Sequence, residues 1–242
     1  MRVLPHLPSA RVALSVGLGL ALGLATVARA DNDTGAGDHP NLVALGLYAV
    51  SFHAHADDLS GPYTPPGLNV RNPSIETLYV GYMRRLSPHF DVELALGAPP
   101  LTKSVAKGPA TVGSVPFNDQ TIATARWLSP NLLVKYYLFS PSAMFRPYLG
   151  VGVNYTRFYS RQVTSAGDAI SGGPTSLSLP YSVGPVGNVG VSWNALDRVA
   201  VNLSWSAAWV NTRLTTDTAG VLRTSHVEFN PRAVVLAVGY RF

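Results

Sequence analysis

Val238-Gly239-Tyr240-Arg241-Phe242 closes the chain, and it is the end of a longer alternation. Val234, Leu236, Val238, Tyr240 and Phe242 fall on one face of an extended segment, because successive side chains of a strand point to opposite sides. Apolar residues on one face, small or polar residues on the other and an aromatic residue at the end describe a strand of a transmembrane barrel. At the other end of the sequence, Arg2, His6 and Arg11 precede sixteen uncharged residues, Val12 to Val27, and then Ala28-Arg29-Ala30. A basic segment, an apolar segment and a small-residue cleavage site predict a secretory signal peptide over residues 1–30, with residues 31–242 as the exported chain. Sixteen residues are short for a membrane-spanning helix of about 20.

The sequence has 18 basic and 13 acidic residues. Arg2, Arg11 and Arg29 belong to the leader, so residues 31–242 carry 15 basic against 13 acidic side chains, a net charge of +2. The alkaline balance therefore gives no argument for a nucleic-acid partner, and no basic cluster with interleaved aromatics is present. With no cysteine there is neither a disulfide nor a thiolate metal site. No phosphate loop, dinucleotide fingerprint or zinc-protease helix motif occurs, so no cofactor is expected.

Between the termini the pattern of the last segment recurs. Eight stretches of about ten residues alternate with period two and are bounded by Gly, Pro, Asn, Asp or Ser: 41–53, 74–86, 89–97, 126–139, 145–160, 182–194, 198–211 and 227–242. Three connections, after the second, fourth and sixth stretches, are short; the other four, 54–73, 98–125, 161–181 and 212–226, are long. Short turns at one end and long loops at the other predict an all-β, eight-stranded antiparallel transmembrane barrel with periplasmic turns and external loops.

Parity then assigns faces. Leu203, Trp205 and Trp209 face lipid with Val199, Val201 and Ala207; Phe90, Val92, Leu94 and Leu96 do the same, which turns Asp91 and Glu93 inward. Leu132, Val134, Tyr136 and Leu138 face lipid, turning Leu133, Lys135 and Tyr137 inward. Tyr82, Tyr155, Trp193 and Trp209 fall near strand ends, where interfacial aromatics sit. Strand direction places Asp91, Glu93, Lys135 and Arg241 at the periplasmic end of the lumen. Glu93 and Lys135 lie on neighbouring strands and can meet, predicting a charged plug, since buried charges must be paired. Tyr48, Val50, Phe52, Tyr79, Leu133 and Phe158 point into the outer half, predicting an apolar upper lumen that either takes a small apolar solute or simply fills a narrow barrel.

His53-Ala54-His55-Ala56-Asp57-Asp58 has two His at i and i+2 but no third fixed metal ligand. His226 and Glu228 form a lone i, i+2 pair that could serve a lipid-modifying hydrolase only with a nucleophile and an oxyanion donor beside it. Basic residues of the outer connections (Arg71, Lys103, Lys107, Arg126, Arg161, Arg213 and Arg223) could contact anionic lipopolysaccharide.

Phe145-Arg146-Pro147-Tyr148-Leu149-Gly150-Val151-Gly152-Val153-Asn154-Tyr155 resembles the F-R-P-Y-x-G-x-G-x-N-Y motif of the OmpW family of outer-membrane proteins. Asp91-Val92-Glu93-Leu94 followed by Ala98-Pro99, the segment Leu128-Ser129-Pro130-Asn131-Leu132 and the terminal Gly239-Tyr240-Arg241-Phe242 are similar to family segments in the same order. The resemblance implies an eight-stranded outer-membrane barrel, closed toward the periplasm, that admits small hydrophobic molecules passively and releases them sideways through the wall. A wall opening leaves strand edges unpaired, and Pro cannot donate to a ladder, so Pro130 and Pro185 are the candidate wall interruptions. The expected partners are small apolar solutes, outer-membrane lipid and lipopolysaccharide; the sequence gives no oligomeric state. Two rival readings are a structural barrel whose external loops bind lipopolysaccharide, host surface or phage, and a lipid-acting enzyme. A Gly152→Phe replacement is expected to fill the lumen and abolish uptake without affecting adhesion.

Overall fold

The closing strand finds its partners at both ends of the chain. In the computed structural model, which describes residues 39–52, 55–64, 67–108, 111–112 and 115–242, strand β17 (Pro231–Arg241) pairs antiparallel with β1 (Asn41–Phe52) and with β14 (Val199–Ala208). Strands β4 (Ile75–Arg85), β5 (Phe90–Gly97), β10 (Asn131–Tyr137), β11 (Phe145–Val163) and β13 (Ser182–Asn194) complete the circuit β1-β4-β5-β10-β11-β13-β14-β17. The β10–β11 ladder closes it, so eight antiparallel strands form a barrel, and closure removes the sheet edges that lipid could not solvate. The leader, residues 1–30, lies outside the described residues. Among the described residues no helix is long and apolar enough to cross a membrane; this chain crosses with strands.

The faces follow the alternation. Leu132, Val134 and Tyr136 are exposed on β10 while Leu133, Lys135 and Tyr137 are buried inward. Leu203, Trp205, Trp209, Val234 and Phe242 are exposed as the parity requires; Val199 and Val238, on the same outward register, are instead covered, Val199 lying opposite Tyr240 and Val238 between Leu45 and Val201. Tyr82, Tyr155, Trp193 and Trp209 are exposed, with Trp193 stacked on Phe145 near the short-turn end.

The long connections are built differently from the loops the sequence suggests: they are largely strand. β2 (His55–Ala56), β12 (Thr175–Ser178), β15 (Asn211–Thr218) and β16 (Val221–Glu228) make one external sheet. β3 (Asn69–Arg71), β6 (Leu101–Lys107), β9 (Thr121–Leu128) and the outer half of β11 make another, while β7 (Thr111–Val112) and β8 (Val115–Pro116) form a small hairpin. Among the described residues one helix, α1 (Ser165–Ser171), sits at the mouth. Thr164 caps it through the Gly167 amide, and Gly172 ends it in the left-handed conformation that glycine adopts without cost. The wall thus continues upward as two sheets with a third hydrophobic cluster, Leu68, Ala106 and Phe117, between barrel and mouth. A segment with water outside and a filled interior inside keeps a one-sided alternation that turns and prolines obscure in sequence.

Candidate functional site

The interior divides by depth. At the floor, Lys135 of β10 forms an ion pair with Glu93 of β5, and Tyr79 of β4 donates its hydroxyl to the same carboxylate. The three come from adjacent strands joined by two ladders: Lys135 pairs in register with Asp91, and Glu93 with Met83. Lys135 is 2% exposed and Glu93 3%. The Lys135 ammonium also sits 4.3 Å from the centre of the Tyr148 ring, a cation–π contact, and 3.8 Å from Met83 Sδ. Below them Asp91, Arg85, Arg146 and Arg241 line a small cavity with Tyr137 and Asn202. Arg146 stacks 4.0 Å from the Tyr137 ring centre and donates to the Pro88 carbonyl at 2.9 Å. Arg241 donates to the Asn194 side chain. Asp91, Glu93, Lys135 and Arg241 therefore lie together at the short-turn end. Arg146, Tyr137 and Tyr148 belong to the same cluster. Parity would have placed Arg146 inward beside Tyr148, since both alternate with the exposed Phe145, Leu149 and Val151.

Tyr79 corrects an expectation. Its ring is buried in the barrel but its hydroxyl is bound to Glu93, so it belongs to the floor rather than to an apolar upper lumen. Leu133 lines a small cavity just above the floor, with Tyr48, Asn131 and Asn188. Beside it Asn154 donates to both Ser129 and Asn131, a buried hydrogen-bonded group on the inner wall.

Above this level the lining becomes apolar. Phe52, Trp127, Phe158 and Phe229 form an aromatic neck: Phe52–Trp127 6.0 Å, Phe52–Phe229 6.5 Å and Phe158–Phe229 5.2 Å between ring centres. They line a narrow cavity together with Ala125, Leu179 and Val210. A larger cavity continues upward between the two external sheets, sharing Ala125, Leu179 and Phe229 with the neck, and is lined by Leu68, Phe117, Ile170 and Leu214 among others. A mostly apolar cleft with few polar groups is the usual form of a small-molecule site. Trp127 and Phe229 were not singled out in the sequence. Trp127 lies between exposed Arg126 and Leu128, the alternation that marks an inward residue.

The ladder that joins β5–β6 to β9–β10 is interrupted by a seam at the level of the inner cavities. β5 and β10 pair from Phe90↔Tyr136 to Ala95↔Asn131, and β6 and β9 pair from Leu101↔Arg126 onward. Between them no rung joins Leu96–Pro100 to Trp127–Pro130, although Leu96 and Gly97 keep their partners on β4 and Trp127 and Leu128 theirs on β11, and the register slips by one residue. Pro99, Pro100 and Pro130 each lack an amide donor there. Pro130 is thus at the interruption, while its carbonyl still accepts from Tyr155 of β11 at 3.0 Å. Pro185 is not: it keeps its place opposite Val153 of β11, and its carbonyl accepts from the Trp209 amide at 3.0 Å, so the wall is paired on both sides of it. The two lower cavities reach the seam from inside, one at Leu96 and Gly97, the other at Trp127 and Ser129. Trp127 Nε1 donates to Thr102 Oγ1 across β9 and β6 at 2.7 Å, just above it.

Gly152 also corrects an expectation. A Cβ there would meet the Leu132 carbonyl oxygen of the neighbouring strand at 1.9 Å, so a side chain at this position would break the wall instead of filling the lumen. His53 lies outside the described residues, and among those described no group of three or more metal-ligating side chains gathers. His226 and Glu228 are half-exposed and 3.9 Å apart. The adjacent Ser225 turns its hydroxyl to the Asp57 carbonyl at 2.6 Å, not to the imidazole.

The sequence profile of the OmpW family matches residues 46–242. The chain belongs to the OmpW family. It is 30% identical over 165 residues to outer membrane protein W of Vibrio cholerae, covering 68% of this chain and 72% of the relative. With the Escherichia coli K12 protein of the same name it is 33% identical over 121 residues, 50% of this chain and 56% of the relative. Among solved structures, OprG of Pseudomonas aeruginosa superposes with a TM-score of 0.74 at 21% identity, over 84% of this chain and 96% of OprG. AlkL in lipid bilayers gives 0.63 at 16% identity, over 88% and 94%. This OmpW-family barrel is accordingly an integral protein of the outer membrane.

Proposed function

We propose that this OmpW-family barrel gives small hydrophobic molecules a passive, non-enzymatic route into the outer membrane, with lateral release through the seam between β5–β6 and β9–β10. The observation that carries the reading is the joining of the external cavity to the aromatic neck. An apolar solute enters between the external sheets, passes Phe52, Trp127, Phe158 and Phe229, and meets the buried Lys135–Glu93 pair below. The charged floor acts as a plug: crossing it would require an apolar molecule to displace a desolvated ion pair. The seam supplies the alternative exit. It lies at the level of both inner cavities, and beyond it is hydrocarbon, where apolar surface leaves water at about 25 cal/mol per Å². Phe52, Phe158 and Leu133 line the path in this reading, and Asp91, Glu93, Lys135 and Arg241 hold its lower end shut. The partners are small apolar solutes and the surrounding lipid.

The test is uptake of a radiolabelled medium-chain alkane or small aromatic by cells lacking the native protein and carrying single variants at equal surface levels. Ala125→Trp places an indole where neck and external cavity meet, on the inward side of β9. Its uptake is expected to fall to that of cells without the protein. Val151→Trp, on the lipid face where residue 151 is 69% exposed, is expected to keep the wild-type rate. Equal rates for both would overturn the passage reading and favour a barrel that serves only to display its external sheets.

A further inference from the structure

The outer face of β11 changes character over two residues. Leu149, Val151 and Val153 face outward and are exposed; Tyr155, Arg157 and Tyr159 follow on the same face. That is the passage from hydrocarbon to headgroup depth, where tyrosines settle and charges become tolerable. The neighbouring strands repeat it. Leu128 is opposite Arg157, and Arg126 is opposite Tyr159. On the other side of β9, Leu101 is opposite Arg126, and Lys103 is opposite Thr124. Lys103, Arg126 and Arg157 therefore stand on one outward face, each diagonal to the next, with Cβ atoms about 7–8 Å apart between adjacent strands. All three are exposed.

This face has no carboxylate of its own. Neither β6, β9 and β12 nor the outer half of β11 contains Asp or Glu. Of the acids of the external layer, Asp119 pairs with Arg71 at 2.7 Å and Asp168 accepts from the Thr175 amide at 2.9 Å, while Glu76 is exposed on β4, not on the strands of these three bases. Arg126 gives one N–H to the Pro99 carbonyl at 3.1 Å, which fixes its guanidinium at the margin of the seam while leaving donors for an outside group. Three like charges crowded on a sheet are mutually unfavourable unless anions lie between them.

We propose that Lys103, Arg126 and Arg157 form a binding site for the phosphate groups of the phosphorylated glycolipid of the outer leaflet, the lipid portion of lipopolysaccharide. The acyl chains lie along Leu128, Val153 and Val151, and the phosphates span the basic triad. A lipid held there covers the outer side of the seam. The site is on the outer surface and does not depend on passage of a solute through the lumen.

The experiment uses the full exported chain in detergent micelles and native mass spectrometry with purified diphosphorylated lipid A, its dephosphorylated form and inorganic phosphate. Wild type is expected to retain the diphosphorylated lipid about tenfold more tightly than the dephosphorylated one, as charge-assisted bonds to phosphate would give. Lys103→Gln/Arg126→Gln/Arg157→Gln is expected to lose that difference while binding dephosphorylated lipid as before. Arg213→Gln, a change on the other external sheet, is expected to keep it. Because all three positions are exposed, retention of the compact band of unheated protein on gels checks that the triple variant is folded, and Arg157→Lys is expected to retain most of the binding. The proposal fails if the triple variant matches wild type, if wild type does not distinguish the two lipids, or if millimolar inorganic phosphate displaces the lipid, which would make this a small-anion site.

Discussion

Lys135 and Glu93 are both nearly inaccessible, and neither could be buried alone. The carboxylate is doubly engaged, by the ammonium and by the Tyr79 hydroxyl, and the ammonium has the Tyr148 face on its far side. Removing one partner leaves an uncompensated charge in a dry site, which typically costs about 3–5 kcal/mol, whereas removing both can be neutral. Lys135→Met is therefore expected to destabilise the barrel by about that amount in urea unfolding from detergent or lipid. Lys135→Met/Glu93→Gln is expected to return to within about 1 kcal/mol of wild type. If the double variant is as unstable as the single, the pair is not coupled as described. At this scale much was legible. Alternation alone turned Asp91, Glu93, Lys135 and Leu133 inward, because a period of two leaves one choice per strand once lipid claims the apolar face. What alternation cannot give is length and reach. Tyr79 points inward as expected, but its hydroxyl extends down to Glu93, and that depth is set by the barrel's stagger, which no single strand records. Gly152 escaped for a similar reason: its lack of a side chain answers to the Leu132 carbonyl across the ladder, not to the lumen.

The seam is a property of elements. Read along the chain, 126–139 is one alternating stretch; in three dimensions it is two strands, β9 and β10, hinged at Ser129-Pro130. Pro130 hinted at the break, but its counterpart, Pro99-Pro100, read only as the start of a loop. The interruption falls where both strands of one ladder carry prolines within a few rungs, Pro130 across from Leu96 and Pro99 across from Trp127 in the continued register, a coincidence visible only when the two strands are paired. Pro185 carries the same chemical signal without the consequence, since its missing donor lies where β14 ends and β15 begins and its carbonyl is still bonded. If the β5–β10 register continued outward, Gly97 would face Ser129, and that rung is absent. Their amides are therefore expected to exchange with deuterated water markedly faster than those of the uninterrupted β1–β17 ladder, measured residue by residue by NMR in bilayers. Tyr155, whose amide is bonded across to Pro130, serves as the protected neighbour. Protection at Gly97 and Ser129 equal to that of β1 would mean that the wall is closed there and would remove the basis for lateral release.

Among the described residues, the molecule is two compartments, one stacked on the other. The lower one is a lipid-embedded barrel with a filled, charged interior; the upper one is a pair of external sheets enclosing an apolar chamber. The sequence disclosed the first almost completely, since lipid on one side and a narrow lumen on the other impose a strict two-residue period. It disclosed the second poorly: outside the membrane the exterior face meets water, the strands are short, and prolines and glycines at 99–100, 108 and 172–173 break the pattern. Yet the chamber is what a capture function needs, because an apolar solute arriving from water gains most from its first apolar enclosure. The division predicts separable defects. The hairpin β15–β16 contributes Leu214, Thr216, Arg223, Ser225 and Val227 to one side of the chamber and no rung to the barrel ladders. Replacing residues 213–226 by a two-residue Asn-Gly turn should leave all eight barrel strands paired. The shortened protein is accordingly expected to fold, insert and shift on gels with heating as the full chain does. Its uptake of a dilute hydrophobic solute is expected to fall several-fold, with recovery toward the wild-type rate as solute concentration rises, because the neck and seam remain while the capturing surface is reduced. A truncated protein that folds and takes up dilute solute at the wild-type rate would show that the upper chamber plays no part in capture. The solute would then enter at the level of Phe52 and Trp127, and the external sheets would need a purpose of their own.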